Sequence, residues 1–263
     1  LAIAEFEKSH VLNKFSSRFD KFLAEQGGDV SGFGVEKVTL PSGEIFRKYV
    51  GPPKKFRSRY FSYREADGLA IFNADSYQQL GLKTPRRAKN GAMCYLCHLT
   101  ENHDDGVAPV FTDFSYDNLG IPVNPQIAEL AGPQPIDYGL GAQTDILDGA
   151  AGSPSPEWAT DQYCKDADCT EKIAAYPSEV GKFKVSSLRN IARTAPYGHN
   201  GFFATLGDIV NFYNRRDALA DAYPDMFAPE VAETVNDGEL GNLGLTSRQE
   251  RRVVLFLRTL TDR

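Results

Sequence analysis

Apolar residues recur at helical spacing toward both ends of the chain and rarely in its middle. Ile3, Phe6, Val11, Leu12, Phe15, Phe19, Phe22 and Leu23 keep a helical period up to the Gly27-Gly28 stop, which predicts one helix over that stretch. No Ser, Thr, Asp or Asn stands before Leu1 to cap it, so the pattern predicts a chain that opens inside an element. Residues 28–60 mix Gly, Pro, Lys and Arg with alternating pieces such as Glu36-Lys37-Val38-Thr39-Leu40, predicting a surface hairpin or long loop. Ser62 with Glu65 three positions on is a capping box for a helix to about Asn73. Thr100–Pro156 is rich in Gly, Pro, Asn and Asp, the composition of an irregular excursion that wraps or covers something. Thr205 with Asp208 starts a further helix carrying Ile209, Val210, Phe212 and Tyr213. Ser247 with Glu250 reads as the capping box of the last helix, whose Val253, Phe256, Leu257 and Leu260 form one apolar face. The sum is a mainly α fold with long loops.

Composition narrows the partners more than the fold. The 263 residues carry 29 Lys+Arg against 35 Asp+Glu, a net charge of −6, so there is no basic surplus to neutralise phosphates and nucleic acid is not an expected partner. With 41% hydrophobic and 24% charged residues the chain is an ordinary folded one. Its longest unbroken apolar run, Val253–Leu257, is too short for a transmembrane helix. There is no initiator Met, no basic n-region and no secretory h-region, which predicts either a removed targeting segment or a piece of something longer.

Three residues carry the chemistry. Cys94-Tyr95-Leu96-Cys97-His98 is C-x-x-C-H, the attachment signature of c-type haem. Two thiols three positions apart lie on adjacent sides of one helical turn and can form thioethers with the two vinyl groups of one porphyrin. The next residue, His98, then projects under the ring and binds iron through an imidazole nitrogen. At this composition a chance match is expected on the order of once in a thousand such chains. A zinc site would need two more ligands at knuckle spacing, and Cys164 and Cys169, with four residues between them and no nearby His, fit that poorly. Those two cysteines fit a disulfide in the oxidising compartment that covalent haem attachment also implies.

Haem iron takes a sixth protein ligand for electron transfer or keeps an open position for oxygen chemistry. Met93 adjoins Cys94 and cannot cross to the far face of the porphyrin. Met226, His199 and Tyr213 remain as candidates, and the residues alone do not choose among them. His10 and His103 read as solvated surface or loop histidines.

Phe183-Lys184-Val185-Ser186-Ser187-Leu188-Arg189-Asn190-Ile191-Ala192-Arg193-Thr194-Ala195-Pro196-Tyr197-Gly198-His199-Asn200-Gly201 resembles the long signature of the bacterial di-haem cytochrome c peroxidase/MauG family. Ala204-Thr205-Leu206, Asn211-Phe212-Tyr213-Asn214 and Leu257-Arg258-Thr259-Leu260-Thr261 belong to the same pattern. So do Phe111-Thr112-Asp113, Asn118-Leu119-Gly120 and the early Ala4-Glu5-Phe6-Glu7, all in the family's order.

The resemblance implies two cytochrome c-like domains in the complete protein, each with its own haem c. Peroxide reacts at the N-terminal haem, and the C-terminal haem is six-coordinate and passes electrons. One C-x-x-C-H aligned with the C-terminal half implies that the peroxidatic domain lies outside this sequence. Residues 1–27 would be the linking helix from that domain, and residues 28–263 the C-terminal cytochrome c-like haem domain, with insertions over Gly28–Tyr60 and Gly141–Lys182. His98 is then the proximal ligand, and the family's sixth-ligand position, fourteen residues beyond His199, falls on Tyr213. Peroxidases of the family carry Met there and MauG-type enzymes Tyr, so Tyr213 implies a MauG-like oxidation of a partner protein. The alternatives are an ordinary cytochrome c peroxidase and a non-enzymatic mono-haem electron carrier. The family also binds Ca²⁺ between its haem domains through carbonyls matching Thr194 and Pro196, with an Asn ligand from the other domain. Hydrogen peroxide, a redox partner protein and a periplasmic location complete what the resemblance implies.

Overall fold

A computed structural model describes Phe6 and residues 14–102, 106–127, 136–142 and 177–263. Four helices frame the core: α1 (Arg18–Glu25), α2 (Tyr63–Phe72), α3 (Leu206–Ala222) and, after the short α4 (Pro224–Phe227), α5 (Ser247–Leu257). Between α1 and α2 runs an antiparallel hairpin of β1 (Val35–Thr39) and β2 (Ile45–Tyr49), pairing Val35 with Tyr49 and Thr39 with Ile45. A second, two-residue pairing joins β3 (Tyr116–Asp117) to β4 (Phe183–Lys184).

Helix starts follow the capping logic. Ser62 accepts from the Glu65 amide while Glu65 accepts from the Ser62 amide, and Thr205 with Asp208 does the same for α3. Two boundaries differ from expectation. The early periodic run is not one helix: Phe15 takes a left-handed φ of 51°, and α1 begins at Arg18 behind a Ser17–Asp20 capping box. The break is fixed from outside, because the amides of Lys14 and Ser16 donate to the Asp262 carboxylate at 3.2 and 2.8 Å. The last helix is capped by Thr246 with Gln249, one residue before the Ser247–Glu250 pair. Both pairs have the right spacing; tertiary contacts decide between them, since Glu250 accepts from Asn211 and Asn214 of α3 at 2.9 and 2.7 Å.

The main helix contact is α2 against α5. Gly68 makes it possible: a Cβ there would sit 2.0 Å from the Arg252 carbonyl oxygen. Around this crossing Phe19, Phe72, Phe111 and Phe256 form edge-to-face contacts at 4.9–6.2 Å between ring centroids. All four rings are essentially inaccessible to solvent. Arg189 ties α1 to this cluster, pairing with Asp20 at 2.7 Å and lying over the Phe19 and Phe111 rings. Cys164, Cys169, His10 and His103 lie outside the described residues, so the expected disulfide does too.

Candidate haem site

Cys94–Leu96 form a single 3-10 turn, entered through Met93 with φ 53°. Its floor is the end of α2: the Ala92 amide donates to Ile71 O at 2.8 Å and the Met93 amide to Ala74 O at 3.0 Å. Gly91 fits only because it has no side chain, as a Cβ would lie 2.0 Å from the Ala74 carbonyl oxygen. The hairpin braces the turn from outside. Tyr95 donates to Asp75 at 2.7 Å, the Arg47 amide donates to the same carboxylate at 2.6 Å, and the Arg47 guanidinium covers the Tyr95 ring at 3.8 Å.

Cys94, Cys97 and His98 open on one cavity of about 580 Å³, a size suited to a bound organic cofactor. Leu119, Ile121, Val185, Leu188, Ile209 and Leu240 give it an apolar wall. Tyr213, projecting from α3, lines the same cavity. Burial pushes the Cys94 thiol up to about 12 and raises Cys97 as well, with Glu239 and Asp117 adding to the second. Both cysteines are therefore held as neutral thiols.

His98 is oriented by the main chain. Its Nδ1 donates to the Phe111 carbonyl at 2.8 Å, which leaves Nε2 unprotonated as a ligand atom. Burial lowers the His98 pKa, again favouring the neutral imidazole that binds iron. Phe111 aims its carbonyl from a left-handed conformation, φ 59°, with its ring locked in the aromatic cluster. Burial raises the Tyr213 phenol above its ordinary range, helped by Cys94, Cys97 and Asp117. A phenolate at that position therefore requires a cation beside it, which a ferric iron would provide.

The other ligand candidates separate clearly. Met226 is 60% exposed on α4. His199 lines the cavity, but its Nε2 is 2.9 Å from Glu230 and its ring stacks on Phe183 at 3.7 Å. Thr194 and Pro196, the expected calcium carbonyls, lie together at the cavity mouth with exposed side chains, joined through the cis Ala195–Pro196 bond. Sequence reasoning missed the carbonyl of Phe111, the Glu230 partner of His199 and a polar group at Cys97. There, Cys97 Sγ and the carboxylates of Asp117 and Glu239 lie within 4.8 Å of one another. Phe111 stood in the Phe111-Thr112-Asp113 motif and Asp117 just before Asn118-Leu119-Gly120; Glu230 and Glu239 had no nearby signal.

A haem-binding fold of the cytochrome c kind is what this frame and its cavity define. The diheme peroxidase BthA of Burkholderia thailandensis superposes over 97% of this chain and 48% of its own, with a TM-score of 0.54 at 23% identity. Methylamine utilization protein MauG of Paracoccus denitrificans (strain Pd 1222) is 34% identical over 180 residues, covering 65% of this chain and 39% of that protein. Cytochrome-c peroxidase IdrP1 of Denitromonas iodatirespirans is 28% identical over 178 residues, 65% of this chain and 37% of its own length. No family model matches the sequence. These similarities support the di-haem cytochrome c peroxidase/MauG family, and the chain spans less than two fifths of the length of these two curated relatives.

Proposed function

We propose that this chain is the electron-transfer haem half of a di-haem c-type oxidoreductase. Residues 1–27 link it to an N-terminal peroxidatic haem domain outside these 263 residues, and residues 28–263 form the haem domain with its insertions at 28–60 and 141–182. When bound, the haem supplies a one-electron redox centre. Cys94 and Cys97 fix it as thioethers, His98 Nε2 takes the proximal position, and the Phe111 carbonyl holds that ring in place. The wall built by Leu119, Val185 and Leu188 excludes water, which strengthens every charge interaction inside. In the complete protein a second haem would supply the peroxide chemistry, and the haem held by these residues would supply storage or relay of the oxidising equivalent. Thr194 and Pro196 offer carbonyls to a Ca²⁺ completed by the other domain. Haem attachment and the cysteine content favour the periplasm, and among the described residues no helix is long and apolar enough to cross a membrane.

One observation carries the finer reading: Tyr213 shares a cavity with Cys94, Cys97 and His98, whereas Met226 faces solvent. A phenolate is a hard anionic ligand that stabilises ferric over ferrous iron and makes higher oxidation states easier to reach, where a thioether raises the potential. That favours MauG-like oxidation of a partner protein's side chain over oxidation of a small donor. The ferric absorption and EPR spectra of Tyr213→Phe test it. Loss of the wild-type low-spin signature with haem still attached is the expected result; an unchanged signature excludes Tyr213 as ligand.

A further inference from the structure

The polar group at Cys97 has no role in binding haem, and its construction is specific. Glu239 Oε2 lies 3.5 Å from Cys97 Sγ. Asn236 spends both hydrogens of its side-chain amide on carboxylates, one on Asp117 at 2.7 Å and one on Glu239 at 2.9 Å. Asn236 is itself fixed: its side-chain oxygen accepts from the Gly238 and Glu239 amides, its own amide donates to Asn118 O at 2.8 Å, and its carbonyl accepts from Arg216 at 2.7 Å. Among the described residues neither carboxylate forms an ion pair with a cationic side chain. Two like charges are thus clamped side by side, half-buried, on the wall of the cavity.

We propose that the Asp117–Asn236–Glu239 bracket is an electrostatic positioning element that holds the potential of the attached haem low. The inference rests on haem attachment at Cys97, and that attachment makes it independent of the haem's pose. A thioether carbon is bonded directly to Sγ, so a carboxylate touching that sulfur stands at the porphyrin edge however the ring is tilted. Oxidation of the iron adds one positive charge at the centre of that ring. Fixed negative charges in a partly water-excluded wall stabilise this form over the reduced one, more strongly than they would in bulk water. Asn236 matters because it keeps the two carboxylates together at the sulfur against their mutual repulsion. The bracket acts in the same direction as an anionic sixth ligand while touching no iron.

The test is a spectroelectrochemical titration of the ferric/ferrous couple in haem-loaded full chain. Asp117→Asn and Glu239→Gln each shift the midpoint upward, Glu239→Gln the more, and the double variant shifts it furthest. Glu44→Gln, on the hairpin and outside the cavity wall, leaves it in place. Raising ionic strength on the wild type also moves the midpoint upward, because salt screens half-exposed charges; this arm needs no variant to fold. Folded, haem-loaded variants with an unmoved or lowered midpoint, or a wild type indifferent to salt, overturn the proposal. A wild type without covalent haem, shown by mass and pyridine haemochrome, overturns instead the functional reading beneath it.

Discussion

The walls of the cavity that carry His98 and Tyr213 are built by different means. On the His98 side the main chain does the work: the Phe111 carbonyl holds the imidazole, the Asp113 amide donates to Cys97 O at 2.9 Å, and the His98 amide donates to Cys94 O at 2.9 Å. On the Tyr213 side the work falls to side chains of α3. Asn214 exchanges bonds with both backbone groups of Leu245 and donates to Glu250, and Asn211 donates to the same carboxylate. Main-chain ties to one neighbouring segment add to these side-chain bonds: the Gly241 amide donates to Tyr213 O at 2.8 Å, the Leu243 amide to Asn214 O at 3.1 Å and the Asp217 amide to Gly241 O at 3.2 Å. A wall held by backbone tolerates changes in neighbouring side chains, whereas a wall held by side chains can be loosened one residue at a time. The first arrangement suits a permanent ligand. The second suits a position that substitutions can retune.

Substitutions can break this comparison in graded ways. The largest effect is expected at the permanent wall: Cys94→Ala with Cys97→Ala abolishes covalent haem, and His98→Ala sharply lowers haem content. Tyr213→Phe keeps close to one haem per chain; pyridine haemochrome quantification distinguishes them. Equal losses at His98 and Tyr213 would erase the asymmetry. Next, Asn214→Ala removes a nearly inaccessible side chain and leaves Leu245 backbone groups unsatisfied, with an expected cost of about 2 to 3 kcal/mol in denaturant unfolding. Its spectrum should show a disturbed Tyr213 side and an intact His98 side.

Smaller effects sharpen the frame behind those walls. Thr246→Ala should cost about 1 kcal/mol and Ser247→Ala only a few tenths, which urea titration resolves and which reverses if Ser247 were the cap. The smallest effect is electrostatic. Burial works to raise the Asp262 carboxyl, but hydrogen bonds from Ser16, Asn190 and Lys14 outweigh it and hold the group below its ordinary value of 3.8. Its folded pKa is depressed, so its stabilisation is complete above that value and is lost as the pH falls through the folded pKa. The melting temperatures of wild type and Asp262→Asn should therefore differ at pH 7 and converge toward pH 3. Hydrogen exchange at the Lys14 and Ser16 amides should accelerate over the same descent.

Local signals were written plainly in the chain. The C-x-x-C-H motif and the Ser62 and Thr205 capping boxes depend on residues a few positions apart, and each turn or helix start forms there; of the hairpin or long loop expected over residues 28–60, the structure forms the hairpin, at Val35–Tyr49. The early helix and the last cap were misplaced for one common reason. In each, a distant group competes for the local bond: Asp262 for the amides of Lys14 and Ser16, and Asn211 with Asn214 for Glu250. The resemblance to the family's long signature singled out Tyr213, but periodicity alone left it level with Met226 and His199.

By itself, then, the sequence determined the C-x-x-C-H spacing and most of the helix starts, because both are set by residues a few positions apart. Tertiary structure alone decided that Tyr213 and His199 line the cavity while Met226 faces solvent, which tautomer His98 takes, and that Asp117, Asn236 and Glu239 meet at one sulfur. Those outcomes depend on loops folding back across the chain, by 13 positions from His98 to Phe111 and by 119 from Asp117 to Asn236. No spacing rule spans that distance; the packing of helices and the satisfaction of buried polar groups fix it instead.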